Sequence, residues 1–168
     1  MESARSQAAA GLDALRSFFV VRHAKAGDRD KWSGDDTLRP LTGKGRKQAE
    51  QLVALFQPFE VSSIHSSPYL RCVETVEPLA KARRLQVTKS RALEEGRGLT
   101  GLKGFLSDPA LDNAVLCTHG DITFELVEEL VANRVIKAGD GGYGKGSTWV
   151  LEVDDRGSPQ RARYIPGP

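Results

Sequence analysis

The 168-residue sequence predicts an α/β fold, on two observations: short apolar runs alternate with amphipathic stretches along the chain, and three of those runs lead into chemically capable residues. With hydrophobic residues at 39% and charged residues at 27%, the chain can bury one core and is too short for two ordinary domains. Residues 1–16, which hold acids and Gly11 and no apolar run long enough for a signal-peptide core, read as an N-terminal tail. Residues 17–168 read as a single domain.

Phe18 to Val21 is short and bulky and gives way at once to polar residues, which predicts a buried first strand. After a Gly- and Asp-rich loop from Gly27 to Pro40, Thr42 can cap a helix with Ala49, Leu52, Val53 and Phe56 at i, i+3, i+4 and i+7, ended by Pro58. Val61 to His65 predicts a second strand. Ser67-Pro68 then supplies a cap with proline at the first helical position, for a helix to about Arg84 with a kink or break at Pro78. Gln86 to Lys89 suits a short strand and Leu99 to Leu106 a glycine-weakened helix. Ala114 to Cys117 is a third buried strand. Ile122 to Val131 is a helix with Ile122, Leu126, Val127 and Leu130 on one side. Thr148 to Val153 and Ala162 to Ile165 suit a closing hairpin.

Composition narrows the function. The net charge of +2, with Lys and Arg interspersed among acids, gives no basic run for nucleic acid. No apolar run exceeds five residues, far below the roughly 18 to 20 that span a bilayer, so no membrane partner is expected. The two cysteines, Cys72 and Cys117, stand in no metal or redox spacing, and a reducing cytoplasm fits them best. A thiol-phosphatase loop beginning at Cys117 would need Arg at position 123, which is Thr123.

The chemistry gathers at three run ends: Arg22-His23, the segment leading to Arg71, and Thr118-His119-Gly120. In an open α/β sheet the carboxyl ends of strands share a crevice, so these groups can converge although distant in sequence. Two arginines and two histidines in one pocket suit a phosphoryl group, because guanidinium forks pair with its oxygens.

Arg22-His23-Ala24 resembles the R-H-G/A signature of the histidine phosphatase (phosphoglycerate mutase-like) superfamily. Ser67-Pro68-Tyr69-Leu70-Arg71-Cys72-Val73-Glu74-Thr75 resembles its S-P-x-x-R-x-x-x-T segment, and Thr118-His119-Gly120 its late histidine. The resemblance, over roughly Phe18 to Trp149, implies a three-layer α/β/α sandwich around a mostly parallel sheet. Two small branches are similar: SixA-type phosphohistidine phosphatases, and the phosphatase domain fused to Nudix in MutT-type proteins. Gly34-Asp35-Asp36, Arg39-Pro40-Leu41, Leu93-Glu94-Glu95 and Lys145-Gly146-Ser147-Thr148-Trp149-Val150 look more like the second.

By this resemblance His23 is the nucleophile, Arg22 and Arg71 bind phosphate, and His119 completes the pocket. The general acid is Glu95 by strict spacing after Leu93, or its neighbour Glu94. No metal and no cofactor is implied. The substrate expected is a phosphorylated small molecule such as a nucleoside di- or polyphosphate, the alternatives being a phosphohistidine protein or a non-catalytic phosphate-binding role. Arg29, Lys31 and Lys145 are candidates to neutralise a second phosphate at the rim, and Trp32 or Tyr143 to face a base. Ala24, where the family usually has Gly, is expected to alter the shape of the phosphate pocket.

Gly139 to Lys145 nearly spells a phosphate-binding G-x-x-x-x-G-K loop. Gly146 stands where Ser or Thr is needed, however, and the loop runs from helix to strand. It reads as a flexible connection, with contact of Lys145 or Ser147 to substrate as the alternative. His65 inherits no family role and reads as a strand-end residue supporting the site.

Overall fold

The computed structural model describes residues 15–168; the tail assigned to 1–16 lies almost wholly outside them. Its last residue, Arg16, instead opens strand β1 (Arg16–Arg22), where its guanidinium donates to the carbonyls of Leu106, Asp108 and Leu111. Then follow α1 (Gly43–Leu55), β2 (Ser63–Ser66), α2 (Leu70–Arg83), β3 (Val87–Lys89), α3 (Leu99–Leu106), β4 (Ala114–Thr118), α4 (Gly120–Ala132), β5 (Thr148–Val153) and β6 (Pro159–Ile165). Short 3-10 turns occupy Arg29–Lys31, Asp36–Leu38 and Arg91–Leu93.

The six strands form one sheet in the order β3-β2-β4-β1-β5-β6. β3, β2, β4 and β1 are parallel, while β5 runs antiparallel to β1 and β6 antiparallel to β5. Alternation along β1 explains the layers, since successive side chains point to opposite faces. Phe18 and Val20 pack with Leu102 and Leu106 of α3 and Ile122, Leu126 and Leu130 of α4. Phe19 and Val21 pack with Leu52 and Phe56 beside α1 and with Cys72, Val76 and Leu79 of α2. All four β1 side chains are buried, each contributing about 1.5–3 kcal/mol relative to exposure. The result is the expected three-layer sandwich.

Several local expectations change. Pro78 does not break α2, whose neighbouring residues Val76, Leu79 and Ala80 are locked in the core. Ser67 is not the cap of that helix: the chain is still extended at Tyr69, which precedes Leu70, and the Ser67 hydroxyl is engaged by His119. β6 starts at Pro159, earlier than expected, because Asp154 closes the turn by accepting from the amides of Arg156 and Ser158. Gly101 weakens α3 intrinsically but permits its packing, since a Cβ there would lie 2.0 Å from the Ala92 carbonyl oxygen. Among the described residues no helix is long and apolar enough to cross a membrane.

Candidate active site

Strand register brings the distant signatures together. Arg22 of β1 lies opposite Thr118 of β4, and Ser66 of β2 lies opposite Cys117 of β4. The next residues, His23, His119 and Ser67, therefore leave the sheet at one edge. The His23 amide donates to the Thr118 carbonyl at 3.0 Å, so the two histidine-bearing segments remain joined beyond the strands. Their imidazole centroids stand 5.5 Å apart.

The His23 ring is oriented by its own chain. Nδ1 lies 2.8 Å from the Ala24 carbonyl oxygen. A carbonyl only accepts, so Nδ1 is the donor and the neutral ring carries its lone pair on Nε2. Burial, reinforced by the charges of His119, Arg71 and Arg22, lowers the ring's pKa to about 3, although the Ala24 hydrogen bond works the other way. His23 is thus an unprotonated imidazole at neutral pH.

Ala24 is held from α2: its amide donates to Thr75 Oγ1 at 2.9 Å, and that hydroxyl donates to the Arg71 carbonyl at 2.6 Å. The Thr four residues after the Arg in the S-P-x-x-R-x-x-x-T segment thus ties the helix to the histidine loop. The Ala24 side chain faces the interior and packs with Leu41 and Ala49. The expected change of the phosphate pocket by the Ala24 methyl is therefore corrected, because the methyl belongs to the core.

Arg22 is half-buried, which pulls its pKa below the ordinary value, and it donates to the Tyr143 carbonyl at 2.6 Å. Its guanidinium lies over Gly120, where a Cβ would come within 2.6 Å of it, so a side chain after His119 would displace the Arg22 fork from this position. Arg71 is fully buried with its charge 4.9 Å from the Tyr69 ring centroid. It donates to the Asp36 carbonyl at 2.8 Å and pairs with the Asp36 carboxylate at 3.2 Å and with Glu95 at 3.5 Å. Burial works to raise the Asp36 pKa, but Arg39, Arg71 and Arg29 outweigh it and hold the carboxyl below its usual range. His119 is fully buried, with Nε2 2.8 Å from Ser67 Oγ and 3.5 Å from Cys72 Sγ.

Among the described residues, five buried side-chain polar atoms lack a hydrogen-bond partner, and three of them are Arg22 Nε, Arg71 Nε and His119 Nδ1. Buried polar groups are normally satisfied, so their concentration around His23 marks a site built for a polar ligand.

The cleft outside His23 has a volume of about 780 Å³ and is lined by Arg22, His23, Lys25, Arg29, Arg39, Glu95, Asp121, Tyr143 and Lys145, among others. Arg71 pairs with Glu95 and the His119 ring stands edge-on to His23, and both of those partners line the cleft. Of the two candidate acids only Glu95 lies on the cleft, accepting from Arg29 at 2.9 Å. The Glu94 carboxylate turns to Arg91 and Arg97. Arg29 is on the wall, whereas Lys31, two residues later in the same turn, is exposed and does not line it.

The Gly139–Gly146 loop is tied down rather than a free connection. The Gly146 amide donates to the carbonyls of both Arg22 and His23 at 3.1 Å, the Trp149 indole donates to the Gly142 carbonyl at 2.7 Å, and the Gly144 amide donates to the Tyr164 hydroxyl at 3.1 Å. Tyr143 and Lys145 therefore face the cleft on a fixed strap. Ser147 is buried with its carbonyl accepting from the Arg22 amide, and Trp32 donates to the Asp35 carbonyl off the cleft wall. The His65 ring packs on Phe105 of α3 and does not line the cleft.

The sequence assigns no site role to Lys25, Asp36 or Asp121, and to Ser67 only that of a helix cap. Asp36 and Ser67 lie within motifs that resembled the family. Asp121, which accepts from the Gly96 amide at 2.8 Å beside Glu95, carries no local signal because its partner is 25 residues away.

Residues 18–98 match the family model of the histidine phosphatase superfamily, branch 1. The chain is 33% identical over 160 residues to an 8-oxo-(d)GTP phosphatase of Mycolicibacterium smegmatis, covering 91% of this chain and 49% of that protein, so it spans about half the length of this relative. The protein histidine phosphatase SixA complexed with tungstate has the same fold, with a TM-score of 0.69 at 16% identity, covering 90% of this chain and 95% of that one. A mycobacterial glucosyl-3-phosphoglycerate phosphatase shares it too, with a TM-score of 0.62 at 16% identity, covering 90% and 96%. Arg22, His23 and Arg71 all lie inside residues 18–98, the segment that belongs to the histidine phosphatase superfamily.

Proposed function

We propose that the chain releases phosphate from a nucleoside di- or polyphosphate through a phosphohistidine on His23. The observation that supports this most is the His23 ring itself, buried, neutral, and with Nδ1 committed to the Ala24 carbonyl. Nε2 attacks phosphorus, and the bond from phosphorus to the bridging oxygen breaks. Arg22, Arg71 and the unpartnered His119 Nδ1 stabilise the charge on the equatorial oxygens, the part of phosphoryl transfer in which electrostatics dominate. Glu95 protonates the leaving oxygen and then takes a proton from the water that attacks phosphohistidine. Orthophosphate leaves and His23 is restored. Fixed cations fill the role that Mg²⁺ takes elsewhere.

The nucleotide assignment is supported by the relative named for 8-oxo-(d)GTP and by the exposed Tyr143 on the cleft wall. A comparison of kcat/KM for nucleoside diphosphates with that for a phosphohistidine peptide, with EDTA present throughout, tests it. The nucleotides should win by tenfold or more. A tenfold preference for the peptide, about 1.4 kcal/mol of discrimination, would assign the site to protein dephosphorylation instead.

The role of Glu95 is separable. Glu95→Gln should slow alkyl phosphates about 10²-fold or more while slowing p-nitrophenyl phosphate far less, because that phenolate departs without a proton. Equal losses on both substrates, or the same pattern in Glu94→Gln alone, would remove Glu95 from this role.

A further inference from the structure

The cations on the cleft divide into two kinds. Arg29 pairs with Glu95 at 2.9 Å and with Asp36 at 3.6 Å, and Arg39 pairs with Asp36 at 3.0 Å. Lys25 and Lys145 have no carboxylate within ion-pair distance among the described residues, although both line the cleft beside Arg22 and His23. The nearby acids are already engaged. Asp28 accepts from the Asp30 amide, Asp121 from the Gly96 amide, and Glu95 from Arg29. Burial lowers the pKa of Lys145, and Arg22, Lys25 and Arg39 lower it further, so its ammonium stands among like charges.

The two lysines project from backbone that is held in place. Gln48 of α1, nearly buried, accepts from the Lys25 amide at 2.9 Å and donates to the Lys145 carbonyl at 3.2 Å. One amide side chain thereby clamps the two loops together. The Lys25 carbonyl accepts from the Thr42 amide at 2.9 Å, and α1 approaches so closely that a Cβ on Gly45 would lie 2.0 Å from it. Repulsion between cations on mobile loops would be relieved by their separation. Here the backbone of both loops is held, so the two stems start from fixed positions on one cleft, where a bound anion would offset the repulsion.

The geometry points to a second phosphate subsite formed by Lys25 and Lys145 and clamped by Gln48, which takes the phosphate adjoining the one at His23. This rests on the proposed placement of the reacting phosphate at His23. It also gives the substrate a direction, away from Arg29 and toward the loop that carries Tyr143. Substrates with two neighbouring phosphates are then favoured over simple monoesters.

The test uses methylenediphosphonate, whose P–C–P bridge cannot be cleaved, and methylphosphonate as competitive inhibitors of p-nitrophenyl phosphate hydrolysis. The unmodified protein should bind the diphosphonate at least tenfold more tightly. In the double variant Lys25→Met, Lys145→Met that ratio should fall to about threefold or less, with a melting temperature close to that of the unmodified protein to show that it folds. A diphosphonate that binds no more tightly than methylphosphonate, or a ratio that survives the double substitution, would overturn the subsite. Because inhibition is the readout, the result does not depend on nucleotide turnover. Slow nucleotide hydrolysis with an intact lysine-dependent ratio removes the proposed substrate and leaves the subsite standing.

Discussion

His23→Ala is expected to lower kcat by about 10⁴-fold or more while leaving the fold intact, since removing a covalent nucleophile eliminates the pathway rather than weakening it. The packing of β1 comes from Phe18 to Val21, all buried, and His23 lies one residue beyond the strand. Its side chain makes one hydrogen bond, to the Ala24 carbonyl, so its loss leaves no charged group stranded. Hydrolysis of p-nitrophenyl phosphate together with thermal melting checks both halves. Residual activity above about one per cent, with an unchanged melting temperature, would mean that another group attacks phosphorus.

Arg71→Lys should reduce kcat/KM by about 10²–10³-fold, the scale found when one preorganised donor to transition-state charge is removed. Lysine keeps the charge but loses the planar fork that reaches Asp36 and Glu95 together and lies near the Tyr69 ring. Arg71 also neutralises Asp36, so thermal melting must accompany the kinetics. A loss below tenfold in a protein that melts normally would make Arg71 a structural counter-ion of Asp36 and not a phosphate ligand.

Much of this architecture was legible because it rests on local pattern. The apolar run of β1, the Thr42 cap of α1 and the span Leu99–Leu106 of α3 all follow from residues within a few positions of one another. What was misread depends on contacts between distant segments. Ser67 has the composition of a helix cap, but His119, 52 residues later, engages its hydroxyl. The glycines of 139–146 suggest freedom, whereas Arg22 and His23 supply the acceptors that fix Gly146 in place. Ala24 looked like a wall of the phosphate pocket and turns instead toward Leu41 and Ala49. Glu94 and Glu95 are adjacent in sequence, and only the positions of Arg91, Arg97 and Arg29 separate their directions. Lys31 and Lys145 were equivalent as isolated cations until the 3-10 turn at Arg29–Lys31 and the Gln48 clamp distinguished them.

The central claim is a covalent phosphohistidine, and rapid acid-free quenching of the protein during turnover, followed by peptide mapping, tests it most directly. The account predicts phosphate on the peptide that carries His23, stable in alkali, lost in acid, and absent from His23→Ala. Phosphate on His119, on a serine, cysteine or carboxylate side chain, or a label that persists in His23→Ala, would contradict it.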